Sequence, residues 1–215
     1  MTNNLPKGVL FDLDGVLVDT ESQYSIFWGK MGVEYNTGIP DFAERIKGSN
    51  LASILNTYFP EKSMQDEIVD KLNRFQEAMT YEICPGVKEF ISQLKQHNIP
   101  TCIGTSSDDK KMEHLFAHQP YFRDNFPNII TGDQVTNSKP HPECFLKGAQ
   151  KIGVDIMDCL IFEDSMQGIT AGLASGAKVI ALSTTCTVQQ IRTLTNVIIP
   201  GFENLSLEII PQLFD

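Results

Sequence analysis

Asp12 and Asp14 are two carboxylates two residues apart, placed where the apolar run Gly8-Val9-Leu10-Phe11 gives way to Gly15. The run reads as a strand covered on both faces. Side chains alternate along a strand, so both acids start on one side of the chain. Gly15 then permits the tight turn that leaves them at the rim of a sheet. Such a pair can divide labour: one carboxylate attacks or holds a metal while the other moves protons. It can equally be a loop whose acids cap a helix, and the pair alone admits both readings.

Three further segments could work with it. The run 101–104 delivers Thr105, Ser106 and Ser107, then Asp108 and Asp109. Hydroxyls and N–H groups just before a helix form a seat for an anion. A plain N-cap accounts for Ser107 to Asp109 but leaves Thr105 unused. Ser138-Lys139-Pro140-His141-Pro142 holds a lysine in a stiff loop, because proline keeps the residue before it out of the helical region. That lysine could meet a phosphoryl oxygen or an attacking acid, or simply face solvent. Leu160-Ile161-Phe162 ends in Glu163-Asp164-Ser165, and two acids converging there with Asp12 would make an all-oxygen site suited to Mg²⁺. The alternative is acids that complement a helix dipole. Gly168, Gly172 and Gly176 read as close helix–sheet packing and a helix C-cap rather than a phosphate loop.

These segments need elements to hold them. From residue 85 onward, helices are expected at 87–97, 108–118, 142–152, 165–175, 188–194 and around 206–213. Short apolar strands at 100–104, 128–131, 159–162, 178–182 and 197–199 fall between them. That alternation predicts a parallel sheet with helices on both faces, a three-layer α/β core. Residues 20–82 read differently, as helices at 22–31, 41–46, 51–58 and 64–81 with no convincing strand. The expected organisation is a core of residues 1–17 and 84–215 with an all-helical cap of residues 18–83 inserted near the active edge. In an open α/β sheet, ligands bind beyond the carboxyl ends of the strands. Four strand ends delivering acid pair, hydroxyls, lysine and acid pair fit phosphoryl transfer through a carboxylate nucleophile.

Composition narrows the partners. The chain has 215 residues, 41% hydrophobic and 20% charged, enough for one good core. Seventeen basic against twenty-seven acidic residues give a net charge of −10. That balance argues against nucleic acid or an anionic membrane as the main partner, yet allows a small phosphorylated substrate bound by local charge and a metal. Apolar runs of membrane-spanning length and a signal-peptide pattern are absent. The five cysteines are scattered, and no histidine spacing suits a metal site. A reducing cytoplasm is the expected compartment. Nothing sets the oligomeric state, and a monomer is compatible with all of it.

The chain resembles the haloacid dehalogenase superfamily, in its β-phosphoglucomutase-like phosphatase branch with a helical cap. The resemblance rests on Phe11-Asp12-Leu13-Asp14-Gly15-Val16-Leu17-Val18-Asp19-Thr20, Gly104-Thr105-Ser106, Ser138-Lys139-Pro140 and Phe162-Glu163-Asp164-Ser165, in the family's order. It implies Asp12 as nucleophile, Asp14 as proton donor and later activator of water, and Thr105, Ser106 and Lys139 around the phosphoryl group. It also implies Mg²⁺ held by Asp12, the Asp14 carbonyl and Asp164, with Glu163 in or next to the shell. Lys47-Gly48-Ser49-Asn50 is similar to the family's cap specificity loop, and Tyr24 is expected at the same cleft. The chain departs from the mutases at Leu51, where they carry an arginine for a second phosphate, and at Tyr24, where they usually carry histidine.

The resulting expectation is a Mg²⁺-dependent phosphatase of a small phosphorylated metabolite, of the sugar or polyol phosphate class. A hexose phosphate isomerase and a non-catalytic phosphometabolite-binding protein are the alternatives. A phosphonate hydrolase using Lys47 as a Schiff-base amine is the most distant.

Overall fold

Residues 5–214 are described by a computed structural model. Strands β1 (Gly8–Phe11), β4 (Thr101–Gly104), β5 (Ile129–Ile130), β6 (Cys159–Glu163), β7 (Lys178–Leu182) and β8 (Ile198–Ile199) form one parallel sheet in the order β5-β4-β1-β6-β7-β8. The chain fills the sheet leftward from β1, then returns across it to fill the right side. Strand order therefore reverses around β1, which marks the place where ligands enter such sheets.

The strand interiors are apolar because both faces are covered. Val9, Phe11, Ile103, Leu160, Phe162, Ile180 and Leu182 point to one core layer. There they meet α5 (Val87–Gln96), α6 (Asp109–His118) and α7 (Pro120–Asn125) through residues such as Phe90, Leu115 and Phe122. Leu10, Cys102, Ile161, Val179 and Ala181 point the other way, onto α8 (Glu143–Ile152), α9 (Met166–Ser175) and α10 (Val188–Ile191). The period of two along each strand sorts side chains between two interiors rather than between core and water.

Between β1 and α5 the chain runs through α1 (Glu21–Glu34), α2 (Phe42–Ile46), α3 (Leu51–Tyr58) and α4 (Lys62–Ala78). These helices enclose their own apolar cluster around Phe27, Trp28, Phe42, Phe59 and Leu72. The expectation of helices alone over 20–82 needs correction at its edges. Two-residue strands β2 (Val18–Asp19) and β3 (Glu82–Ile83) pair antiparallel where the segment leaves and rejoins the sheet. Strands this short carry no periodicity, so only their pairing defines them. Two other differences appear: α7 follows Pro120 at its first position, and the helix expected around 206–213 is a 3₁₀ turn over Ile210–Phe214. Pro211 removes a backbone donor inside that segment, which favours the short form.

Candidate active site

Strand register brings the chemistry together. Phe11 pairs with Phe162 on one side and Ile103 on the other, and the two phenyl rings stack at 5.2 Å. The next residues, Asp12, Glu163 and Gly104, therefore emerge level at the carboxyl edge of the sheet. The Asp12 N–H donates to the Phe162 carbonyl at 3.0 Å, which fixes where its side chain starts.

Lys139, only 3% exposed, reaches this edge from the loop before α8. Its Nζ lies 2.5 Å from Asp12 Oδ1 and 2.6 Å from Glu163 Oε1, above the Phe145 ring. The second Glu163 oxygen accepts from the N–H groups of Asp164 and Ser165 and from the Ser165 hydroxyl. The carboxylate fills the space beside Gly168, where a Cβ would fall 1.6 Å from Glu163 Oε1. Both Glu163 oxygens are thus engaged, and the carboxylate tethers Lys139 behind the acid cluster. Two carboxylates around Lys139 offset its burial and raise its pKa.

Asp14 is held by a different lysine. Lys111 Nζ lies 2.5 Å from Asp14 Oδ2, the Ser107 hydroxyl donates to the same oxygen at 2.9 Å, and Thr20 donates to Oδ1. Burial pushes the Asp14 carboxyl up, but Lys111, Thr20 and Ser107 together hold it below the usual range. Lys111 also sits 4.2 Å over the Tyr24 ring, so this α6 lysine is held between Asp14 and α1. Burial raises the pKa of the Tyr24 phenol well above its ordinary value, and its oxygen accepts from Gln76.

The remaining expected residues divide. Thr105 is 2% exposed and lines the cleft beside Asp12, its hydroxyl accepting the Ser107 N–H at 3.0 Å. Ser106 donates to the Gly48 carbonyl at 2.9 Å and so ties the strand end to the helical segment. Lys47 and Gly48 line the same cleft, with Lys47 paired to Glu44 at 2.8 Å. Asn50 does not reach it. Its side chain caps α3 by accepting the Ser53 N–H at 2.8 Å, and it faces a separate surface depression beside His141. The cleft position expected of Asn50 is taken by Leu51, which joins Trp28, Ile46, Ile54 and Leu72 in an apolar wall opposite the acids.

Two cleft residues are not evident from the sequence. Lys111 looks like a surface lysine after Asp109-Lys110, although it lies four residues before buried Leu115 and so on the same helix face. Glu21 follows Thr20 and lines the cleft near Asp14; burial first, then Asp14, pushes its carboxyl up to about 7.

The residues present suit a divalent cation. Among the described residues no three His, Cys, Asp or Glu side chains converge in ligating geometry; Lys139 engages Glu163 and Lys111 engages the Asp14 carboxylate. Asp12 and Asp164 remain, each with one oxygen not used in the described hydrogen bonds. The Asp164 carboxylate packs on the Asp14–Gly15 turn so tightly that a Cβ at Gly15 would lie 2.0 Å from its Oδ2. That packing places the Asp14 backbone beside it. Burial pushes Asp12 up to about 7, with Glu163 and Asp14 adding to the push and Lys139 opposing it. Burial, Glu163, Glu21 and Asp12 push Asp164 up as well. Crowded buried carboxylates with free oxygens are what a hard cation relieves.

A parallel sheet of this order, with a carboxylate pair and a buried lysine at its central strand ends, defines an α/β enzyme whose site lies at the carboxyl edge of the sheet. The chain belongs to the haloacid dehalogenase-like hydrolase family, whose description matches residues 9–182. It is 30% identical over 184 residues to hexitol phosphatase A of Escherichia coli, covering 82% of this chain and 83% of that protein. It is 27% identical to the bifunctional riboflavin kinase/FMN phosphatase of Arabidopsis thaliana, spanning 97% of this chain but only 57% of that protein's length. A family IA, variant 3 hydrolase from Entamoeba histolytica superposes with a TM-score of 0.81 at 26% identity, covering 97% of this chain and 99% of that one. No described helix is long and apolar enough to cross a membrane.

Proposed function

We propose that this chain is a Mg²⁺-dependent phosphatase of a small phosphorylated metabolite, acting through a phosphorylated Asp12. The observation that carries the reading is how Asp12 is held. One oxygen is pinned by Lys139, the other is left for attack or for a cation, and a second carboxylate stands two residues away. An Asp12 oxygen bonds to phosphorus as the bond to the leaving oxygen breaks, and that oxygen takes its proton from Asp14, which must first be protonated against the hold of Lys111, Thr20 and Ser107. Water then attacks the phosphorus, Asp14 takes the water proton, and phosphate leaves as Asp12 is restored. Lys139 and the Thr105 hydroxyl hold the phosphoryl oxygens, and Asp12, the Asp14 carbonyl and Asp164 hold the metal. Mg²⁺ supplies charge neutralisation at the transferring phosphoryl group.

Residues 18–83 act as a cap over the site and residues 1–17 and 84–215 as the core, with Ser106–Gly48 and Ser49–Gln167 contacts joining them. The cap wall favours hydrolysis over isomerisation. Holding a bisphosphate needs a cation at its far end, where Leu51, Ile54 and Leu72 supply none and Lys47 is already paired. Hexitol and sugar phosphates are the first substrates to try. The test is phosphate release with Mg²⁺ across a panel of small phosphoesters, with Asp12→Asn as control. Release that the variant loses supports the reading. Conversion of glucose 1-phosphate to glucose 6-phosphate without release would replace it with the isomerase, and binding without turnover would replace it with a binding protein.

A further inference from the structure

We infer that Thr184 and Thr185, just after β7, are positioning residues that pre-set the cation site. The inference rests on reading Asp12, the Asp14 carbonyl and Asp164 as that site. The Thr185 hydroxyl donates to Asp164 Oδ2. The Thr184 hydroxyl donates to the Gly15 carbonyl at 2.7 Å and sits 3.5 Å from the same Asp164 oxygen. Gly15 is the residue directly after Asp14, so two adjacent hydroxyls hold both loops that would contribute ligands.

The packing around Gly15 makes this arrangement specific. Gly15 has φ +73°, and the volume of its missing Cβ is occupied by Asp164 Oδ2 at 2.0 Å and approached by Thr185 Oγ1 at 2.8 Å. Glycine, carboxylate and hydroxyl therefore occupy one small space, and a shift in any one moves the others. With Oδ2 taken by the threonines, Oδ1 is the Asp164 oxygen available to a cation. A carboxylate fixed in one rotamer loses less freedom on binding a metal, and a hydroxyl donor tempers the repulsion from Glu163 and Asp12 while the cation is away. Neither threonine touches the phosphoryl-binding residues, so the role is to orient a ligand rather than to take part in the reaction.

The test is Mg²⁺ binding measured by calorimetry on the substrate-free chain, alongside its thermal unfolding in EDTA. Thr185→Val is expected to weaken Mg²⁺ about 10–100-fold while Thr185→Ser, which keeps the donor, stays within about threefold of the parent. Thr184→Val is expected to weaken it too, by loosening the Gly15 turn. A purely structural role would lower the melting temperature without separating valine from serine in Mg²⁺ affinity. Equal affinity of Thr185→Val and the parent overturns the inference and leaves the site reading intact. Failure of the parent to bind Mg²⁺ overturns both. If the valine variant does not fold, Thr185→Ala, which adds no bulk beside Gly15, is compared with serine by the same criterion.

Discussion

Lys139→Met removes an ammonium that two buried carboxylates share, while keeping much of the side chain's bulk against Phe145. Deleting one partner of a buried ion pair costs about 3–5 kcal/mol, because the other charge is stranded. Here Nζ has two such partners, at 2.5 and 2.6 Å. Proton uptake by Asp12 limits it. Burial, Glu163 and Asp14 already push Asp12 up to about 7 against the opposition of Lys139, and without that lysine its carboxyl rises further. A carboxyl whose folded pKa exceeds its unfolded value near 3.9 binds its proton more readily when folded. Its contribution is therefore fully present in acid and disappears as pH climbs through the folded value. The variant's deficit is expected to be smaller at about pH 5 than at about pH 8. At about 2–4 °C per kcal/mol for a chain of this size, the melting temperature falls by about 6–20 °C at the higher pH. Thermal unfolding in EDTA at both pH values measures it. Adding Glu163→Gln should restore part of the loss, since the second stranded charge goes with its partner. An unchanged melting temperature, or a loss equal at the two pH values, would refute the reasoning.

Gly15→Ala puts a Cβ 2.0 Å from Asp164 Oδ2 at a backbone φ of +73°. Mg²⁺ affinity is expected to fall about 10–100-fold, with about 1–2 kcal/mol of stability lost to the left-handed backbone, both readable by calorimetry and urea unfolding. Lys111→Met leaves burial acting on Asp14 with its main counter-charge gone, so the carboxyl moves up. The acid limb of kcat, which the proposed mechanism assigns to ionised Asp14 activating water, should shift to higher pH. A limb that stays in place would show that Lys111 does not govern Asp14. Leu51→Arg adds a cation to the apolar wall of the cleft. It is expected to raise kcat/KM for a sugar bisphosphate relative to its monophosphate about tenfold, the value of one charge-assisted bond, in a paired-substrate assay.

The residues of the candidate site are legible in the sequence wherever local rules suffice. The strands around it are readable because a both-faces-buried strand is an unbroken apolar run, and the residues just past such a run must lie at the sheet edge. Asp12, Thr105 and Asp164 emerge there, and Lys139 reaches the same edge from the proline-stiffened loop before α8. Lys111 is obscure because it closes a charged stretch at a helix start, and whether it or Lys110 turns inward depends on how α6 docks on α4 and the sheet. Thr184 and Thr185 lie in a Thr-rich turn with no local signal, and only the fold brings them to Asp164. Asn50 shows the opposite error. Its type suits a ligand contact, yet an asparagine directly before a helix is also a preferred cap, and that local use prevailed.

Gly168 carries no functional group and lies on the first turn of α9, yet the Glu163 carboxylate occupies the volume any side chain there would need. Even alanine would evict Glu163, and with it the tether that holds Lys139 on Asp12. In a survey of tolerated substitutions, this glycine should therefore be as unforgiving as Asp12 itself, although it never meets substrate. Sequence drift in this chain is constrained by the empty spaces that its acids fill as well as by the acids.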